Sequence, residues 1–370
     1  MKLIHCADIH LNSSLSTHLD GEKRKQRRTE ILHTFLRMVD YAEEQSVDGI
    51  LIAGDLFDTK KVDRSTGNAV ISVITGHPEI LFFYLRGNHD ADGFLQSLDK
   101  IPDNLKLFGD TWRSYAWEED GETIVITGAE SSARNAQTLY TSLRLDPKYI
   151  NLVMLHGQEM PYASSTGQDA EQIPLAMLQN KGIDYLALGH IHTYKRGQLD
   201  ARGIYVYPGC LEGRGFDECG VHGFCLLDID AAHHKLQDTF VPFASRRLWE
   251  ASVDVSGCAA GKDVLHAVRE TLQEMQVQSE DLVKVCLTGS LPAGVEVDAE
   301  LLAMQLSQSF FYVKVVNRIV PEIDYASYSY DTSLKGEFVR LVQAQTGLSE
   351  EEKAKIIRTG ILALTGEAFV

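Results

Sequence analysis

The sequence predicts a layered α/β domain, followed by a smaller α+β unit and a helical tail. Short apolar runs without clean alternation recur through the first 245 residues, as in strands buried on both faces. Segments with helical spacing of apolar residues lie between some of these runs, which favours a layered α/β core. A length of 370 residues fits about two domains.

The strand-like runs of the first domain form a series. They span residues 3–7, 49–53, 80–85, 123–127, 151–155, 185–188, 204–207 and 223–229. A helix is predicted from about Lys25 to Gln45, where apolar residues recur at helical spacing, and a second near residues 172–180. The first domain is therefore expected to cover residues 1–245.

A second unit is expected at residues 250–325, after the basic stretch that contains Arg246 and Arg247. Its pattern predicts a helix at about 261–275, strands from 282 and 312, and an amphipathic segment at 300–310. Residues 334–370 look helical, with a turn at 346–349. Two apolar stripes run along this tail, and they either pack on their own domain or mark an interaction surface. The stripes consist of Leu334, Phe338, Leu341 and Val342, and of Ile356, Ile357, Ile361 and Leu364.

Composition narrows the class of protein. The chain has 35 basic and 52 acidic residues, a formal net charge of −17, which disfavours a nucleic-acid binder because phosphates attract Lys and Arg. Six cysteines form no CxxC pair, as expected for reduced thiols in a cytoplasmic protein. No apolar run reaches the roughly 20 residues of a membrane span, and the start does not resemble a signal peptide.

Polar residues that can bind metal follow five of the early strands. Because ligand sites in open α/β folds form outside the carboxyl ends of strands, these residues are expected to meet at one edge. In chain order, they are Asp8, His10, Asp55, Asn88, His89, His156, His190 and His192.

The donor chemistry of this set points to metal catalysis. Seven of the residues, all except His89, offer nitrogen and oxygen donors without sulfur, which suits Mn, Fe or Zn. Seven donors are too many for one catalytic ion, whereas two ions that share a bridging carboxylate fit the number. Each motif alone could be a turn, a helix cap or a buried histidine, but their joint order predicts a dinuclear site.

The motifs DIH at 8–10, GDLFD at 54–58, GNHD at 87–90, LHG at 155–157 and GHIH at 189–192 resemble those of calcineurin-like metallophosphoesterases. Within that superfamily, DIHLNSSL and the segment YPGCLEGRGFDE resemble SbcD-type nuclease subunits of DNA double-strand-break repair. Cys210 stands where those proteins usually have serine. The resemblance covers about residues 1–245, and beyond residue 250 it extends only to the order of the domains.

The resemblance implies a β-sandwich flanked by helices, a small capping domain and C-terminal helices. One metal would be held by Asp8, His10, Asp55 and His192, and the other by Asp55, Asn88, His156 and His190. The ions would be manganese, with iron, zinc or magnesium as alternatives. His89 would approach the leaving oxygen of the phosphodiester as the catalytic residue. Asp90 would orient His89 or cap the turn.

By the same resemblance, the substrate would be DNA ends, bound through the backbone, and the partner a coiled-coil ATPase of the SbcC type. A homodimer near the nucleoid is expected, and no membrane contact. The basic residues Lys23, Arg24, Lys25, Arg27 and Arg28 either contact phosphates or form a solvated helix start. Two alternatives stay open: an enzyme for small or cyclic phosphodiesters or phosphoproteins, and a non-catalytic scaffold.

Overall fold

A computed structural model of the chain builds its first part from two six-stranded sheets. The structure describes residues 1–15, 19–58, 62–90, 93–96, 98, 100–119, 121–132, 134–136, 138–162, 171–292, 295–322 and 325–365. The chain forms two compact units, Met1–Leu248 and the part that begins at Trp249. Residues 366–370 of the predicted helical tail lie outside the described residues.

The first sheet joins four parallel strands to an antiparallel pair. In spatial order it contains β14 (Lys235–Pro242), β13 (Gly223–Asp230), β1 (Lys2–Cys6), β2 (Gly49–Ala53), β3 (Leu81–Leu85) and β4 (Leu105–Leu107). Three helices lie between the parallel strands in sequence: α1 (Gly21–Glu44), α2 (Arg64–Gly76) and α3 (Gly93–Gln96). Asp20 and Asp63 begin α1 and α2, because each carboxylate accepts a hydrogen bond from a backbone N–H of the first turn.

The second sheet has a parallel centre and antiparallel edges. In spatial order it contains β11 (Lys195–Gln198), β12 (Ile204–Tyr207), β10 (Tyr185–Gly189), β7 (Ile150–His156), β6 (Glu122–Gly128) and β5 (Arg113–Glu119). Strand β7 is preceded in sequence by α4 (Leu139–Ser142). It is followed by a two-stranded pair of β8 (Gln158–Met160) and β9 (Gln172–Pro174).

The helix predicted near residues 172–180 is wrong. The structure has β9 there, followed by one 3₁₀ turn at Leu175–Met177. Pro174 disfavours a helical conformation at Ile173, and the apolar residues that follow are too few to sustain a helix of their own.

The two sheets pack face to face, and both faces of their central strands are buried. In β1, Leu3 points to the layer between the sheets, whereas Ile4 packs on the other side with Phe35 of α1. The layer between the sheets includes Leu51, Phe83, Ile126, Leu152, Met154, Tyr185 and Val206. The outer face of the second sheet packs on the segment around Tyr140. The structure thus confirms the predicted layered sandwich with flanking helices.

The second unit is a small α+β fold with a helical end. Its sheet contains β15 (Leu248–Asp254), which starts at the last residue of the first unit, β16 (Leu282–Thr288) and β18 (Tyr312–Asn317). Its other elements are α5 (Gly261–Glu274), β17 (Ser290–Leu291), α6 (Ala299–Leu306), β19 (Val320–Pro321), α7 (Tyr325–Tyr328), α8 (Leu334–Gln343) and α9 (Glu350–Thr365). Across the described part of the chain, no helix has the length and apolar character needed to cross a membrane.

Candidate metal centre

The predicted ligands lie at one edge of the sandwich, where β1, β2, β3, β7 and β10 end. Strands β1, β2 and β3 are parallel to one another, and so are β7 and β10, so each group delivers its carboxyl ends together. The contact of Asp55 from the first sheet with His156 from the second shows that both groups face the same edge.

One group of donors forms around His156. Its Nε2 atom lies 3.0 Å from Asn88 Oδ1 and 3.4 Å from Asp55 Oδ2. Its Nδ1 donates to the carbonyl oxygen of Ala53 at 2.9 Å, so in the neutral ring Nε2 carries a lone pair. Ligand atoms of Asp8, Asp55 and His156 all lie within 4.8 Å of one another. Lone pairs that converge in this way fit a cation between them.

A second group forms around His10 and His192. Their Nε2 atoms lie only 3.3 Å apart, and His10 Nε2 is 3.8 Å from Asp55 Oδ2. Ligand atoms of Asp8, His10 and His192 also lie within 4.8 Å of one another. Asp55 is therefore close to both groups, as a shared carboxylate would be.

His190 lies beside these groups. Its backbone N–H donates to both carboxylate oxygens of Asp8 at 2.9 Å, and its ring packs edge-on against His156 with centroids 5.4 Å apart. Among the described residues, the sets of ligand atoms within 4.8 Å do not include the ring of His190. The structure thus places the ring of His190 beside His156, one of its predicted partners, and its backbone N–H orients Asp8.

Two carboxylates behind the histidines had no role assigned from the sequence. Asp58 Oδ1 accepts from His10 Nδ1 at 3.1 Å, and Glu218 Oε1 accepts from His192 Nδ1 at 2.7 Å. Histidines that bind metal through one nitrogen commonly donate the other N–H to a carboxylate or carbonyl, and these contacts match that pattern. The sequence did contain a signal for both carboxylates. Asp58 ends the motif GDLFD, which also contains the predicted ligand Asp55, and Glu218 ends GRGFDE, which lies near the end of the first domain.

His89 lies on the rim of the centre, with 49% of its side chain exposed. Its Nδ1 lies 3.1 Å from Asp58 Oδ1, and its backbone N–H donates to Asp55 Oδ1 at 2.9 Å. Ligand atoms of His10, Asp58 and His89 also lie within 4.8 Å of one another, because both rings approach Asp58 Oδ1 to 3.1 Å. His89 therefore faces solvent while its backbone stays fixed to the centre.

The backbone around the ligands is unusual in two ways. Gly54 has a φ of +93°, and a Cβ there would overlap His156 Nδ1. Gly189 is packed as tightly, because a Cβ would overlap the carbonyl oxygen of Ala53. Positive φ values, uncommon for residues other than glycine, occur at Asp8 (51°), His10 (50°), Asp55 (50°) and His190 (104°). Such strain persists where the surrounding structure holds it, most often at functional sites.

Asp90 caps the turn rather than joining the ligands. Its carboxylate accepts backbone N–H groups of Gly87 at 3.0 Å, Phe57 at 2.8 Å and Leu56 at 3.2 Å. Burial raises the pKa of Asp90 to about 6. The side chain thereby ties the loop after β3 to the loop after β2.

The electrostatics of the His156 group favour positive charge. Burial alone would lower the pKa of His156, but the hydrogen bond and charge of Asp55 raise that pKa to about 9. Burial opposes ionisation of Asp55 too, yet His156 holds the pKa of Asp55 well below its ordinary value. Burial lowers the pKa of His10 in the other group, against the opposing effect of Asp58. The donor set therefore fits divalent cations, which replace protons on such ligands.

The basic residues at the start of α1 do not all lie on the protein surface. Arg27 is buried, and its guanidinium donates to Glu212 at 3.0 Å, to Glu30 at 2.7 Å and to the carbonyl oxygen of Gly213 at 2.9 Å. The interpretation of Arg27 as a phosphate contact is therefore wrong, because acidic partners inside the domain neutralise its charge. The side chains of Arg24, Lys25 and Arg28 are exposed.

Comparisons with known proteins agree with this geometry. The sequence profile of the calcineurin-like phosphoesterases matches residues 1–194. The uncharacterized metallophosphoesterase YhaO of Bacillus subtilis is 28% identical over 325 residues, which cover 79% of this chain and 72% of YhaO. The DNA double-strand break repair protein Mre11 of Methanopyrus kandleri is 26% identical over 322 residues, covering 80% of this chain and 67% of Mre11.

A component of a bacterial nuclease is similar as well. The SbcD subunit of the nuclease SbcCD from Staphylococcus epidermidis is 23% identical over 281 residues, which cover 67% of this chain and 71% of SbcD. The matched profile spans more than half of the 370 residues and includes each predicted ligand. The chain therefore belongs to the calcineurin-like phosphoesterase family, whose members use divalent metals.

Proposed function

We propose that this protein is a dinuclear, metal-dependent phosphodiesterase that hydrolyses DNA from its ends in double-strand-break repair. The observation that supports this most is the position of Asp55 between the two ligand groups, with His89 on the rim beside them. Paired metals about 3.5–4 Å apart are a common device for hydrolysing phosphate esters. The names of the Mre11 and SbcCD relatives support DNA as the substrate.

The ligands divide between two positions. Manganese is the proposed metal, with iron, zinc or magnesium as alternatives, because the donors are nitrogen and oxygen atoms. When bound, such ions activate a water molecule and offset charge on the phosphate oxygens, which permits in-line attack on phosphorus. One position would use Asp8, His10, Asp55 and His192, and the other Asp55, Asn88, His156 and His190.

His89 would deliver a proton to the leaving oxygen. Its Nδ1 lies 3.1 Å from Asp58 Oδ1, so Nδ1 is the ring nitrogen that faces the carboxylate. Nε2 is then the atom that can give a proton to the leaving group at the exposed rim. Asp90 contributes indirectly, because it fixes the loop that carries His89.

Hydrolysis of end-labelled linear double-stranded DNA with Mn²⁺, beside a chromogenic phosphodiester, tests the proposal. The wild type should cleave both substrates. His89→Ala should keep its metal but lose roughly 10²–10⁴-fold in kcat on both. His266→Ala is the matched control, because that side chain is 73% exposed and pairs with Glu270 on α5. Loss of bound metal in His89→Ala would contradict the catalytic role.

A second candidate is an enzyme for small or cyclic phosphodiesters. The net charge of −17 favours it, and so does the burial of Arg27, which removes one cation from the surface. Turnover of the chromogenic ester with DNA left intact would support this candidate. The same result would also fit a nuclease that needs its ATPase, so the assay should be repeated with that partner added.

The relatives also suggest partners. We propose that a coiled-coil ATPase of the SbcC type binds the C-terminal helices, that the chain forms a homodimer, and that it acts in the cytoplasm at the nucleoid. In the tail, Val339, Val342 and Ile357 form a small core, whereas Leu334 is 70% and Leu341 58% exposed. Size-exclusion chromatography of the chain, alone and with the ATPase, measures both associations.

A further inference from the structure

Arg214 lies between the two carboxylates that hold the histidines of one ligand group. Its Nη2 donates to Glu218 Oε1 at 2.7 Å, and its Nη1 lies 3.6 Å from Asp58 Oδ1. Its side chain is largely buried, with 18% exposed. A guanidinium in this position can hold two acceptors at once, because its donors form a rigid planar fork.

Each of these carboxylates also accepts from histidine. Glu218 Oε1 accepts from His192 Nδ1 at 2.7 Å, so the guanidinium and the imidazole share one oxygen. Asp58 Oδ1 accepts from His10 Nδ1 at 3.1 Å and lies 3.1 Å from His89 Nδ1. Arg214 therefore contacts the orienting partners of two predicted ligands and of the predicted catalytic residue.

The backbone does not replace the guanidinium in this arrangement. The N–H of Arg214 donates to Glu218 Oε2 at 2.7 Å, which anchors the other carboxylate oxygen and would survive any substitution of the side chain. The guanidinium donates to Glu218 Oε1, the oxygen that also accepts from His192. The guanidinium, unlike the backbone N–H, also lies close to Asp58. Substitution of Arg214 should thus loosen the orientation of Glu218 without removing its anchor.

We propose that Arg214 is a positioning residue. Through Asp58 and Glu218 it fixes the orientation of the rings of His10, His192 and His89. It would thereby control the affinity of one metal position and the delivery of the proton at the same time. This inference rests on the proposed dinuclear function. The His156 group is held by the Ala53 carbonyl instead, so its metal position should be independent of Arg214.

Manganese titration of the metal-free chain by calorimetry tests the proposal without any substrate. The variants are Arg214→Gln, Arg214→Lys and the matched control Arg202→Gln. Arg202 makes a paired contact with Asp184, next to the amino end of β10 and thus at the opposite end of that strand from His190. Thermal melting of each metal-free variant separates a loss of stability from a loss of metal affinity.

The wild type should bind two ions. Arg214→Gln should bind one ion as tightly as the wild type and the other roughly 10–100-fold more weakly, the usual cost of losing an outer partner of a metal ligand. Arg214→Lys should recover part of this loss, and Arg202→Gln should titrate like the wild type even if it melts earlier. At saturating Mn²⁺, Arg214→Gln should still lower kcat on the chromogenic diester while KM stays unchanged.

Two results would overturn the inference in distinguishable ways. If the wild type binds two ions and Arg214→Gln binds both equally well, the positioning role is wrong and the proposed function stands. If the wild type does not bind two ions in titrations with manganese, iron, zinc and magnesium, the proposed dinuclear function fails, and the role of Arg214 fails with it.

Discussion

The two halves of the candidate centre are built differently. In the half around His156, the backbone holds the ring: the Ala53 carbonyl accepts from Nδ1, and Gly54 and Gly189 leave no space for a side chain. In the half around His192, charged side chains hold the ring. Glu218 accepts from it, and Arg214 binds the same carboxylate oxygen.

The orientation of one histidine ring therefore depends on the backbone of the fold, and the orientation of the other depends on individual side chains. The backbone half depends on strand ends and on the close approaches at Gly54 and Gly189, so changes there should disturb both stability and metal binding. The side-chain half can be altered one contact at a time, because Glu218 and Arg214 lie in the loop between β12 and β13. Asp55 belongs to both halves.

Asp55→Asn should have the largest effect, because it removes a charge that lies beside His10 in one half and beside His156 in the other. We expect loss of both metal ions and a fall in phosphodiesterase activity beyond the roughly 10–100-fold that an outer partner costs. Metal content after dialysis and hydrolysis of the chromogenic diester are the measurements. Asp238→Asn, which removes an acidic partner of the exposed Arg196, is the control. Retention of both ions by Asp55→Asn would show that the two ions do not share Asp55.

Gly54→Ala should disturb only the half of the centre around His156. A methyl group would overlap His156 Nδ1, and the φ of +93° is unfavourable for alanine, so the free energy of unfolding should fall by about 1–3 kcal/mol. The affinity for metal should fall at the position beside His156 and stay unchanged at the other position. Urea unfolding and manganese titration check this, with Gly76→Ala as the control because its Cβ would meet open space. Equal weakening of both positions would contradict the division into halves.

The pH dependence of metal binding should follow His156. Because Asp55 raises the pKa of His156 to about 9, this ring is protonated at neutral pH in the metal-free protein and must lose its proton to bind a cation. Affinity at this position should therefore rise about tenfold per pH unit between about pH 7 and 9. The stability contribution of the protonated ring has the opposite sign, since it is lost as pH rises through about 9. Manganese titrations at several pH values check the slope, and a flat profile would contradict it.

The sequence predicted the edge where the ligands meet because its strands are apolar on both sides and end at chemically distinctive residues. Strand β2 lies at Gly49–Ala53, as predicted, and Asp55 follows it directly. Helix α2 was not predicted, because Arg64–Gly76 is rich in β-branched residues with modest helix propensity.

What the sequence could not show were pairings between distant parts of the chain. Glu218 contacts His192 across 26 positions, and Asp58 contacts His10 across 48, so no local spacing predicts either pair. Arg27 is different, because it lies four residues before Ile31 and eight before Phe35, on the apolar stripe of α1. Helical periodicity alone could have placed Arg27 inside the domain rather than on a phosphate-binding surface.

The central claim is that two metal ions share Asp55, and electron paramagnetic resonance of the manganese-loaded protein tests it most directly. We predict a spectrum of two exchange-coupled Mn²⁺ ions in the wild type that disappears in Asp55→Asn. A spectrum of isolated Mn²⁺, unchanged when the second equivalent is added, would contradict the shared centre.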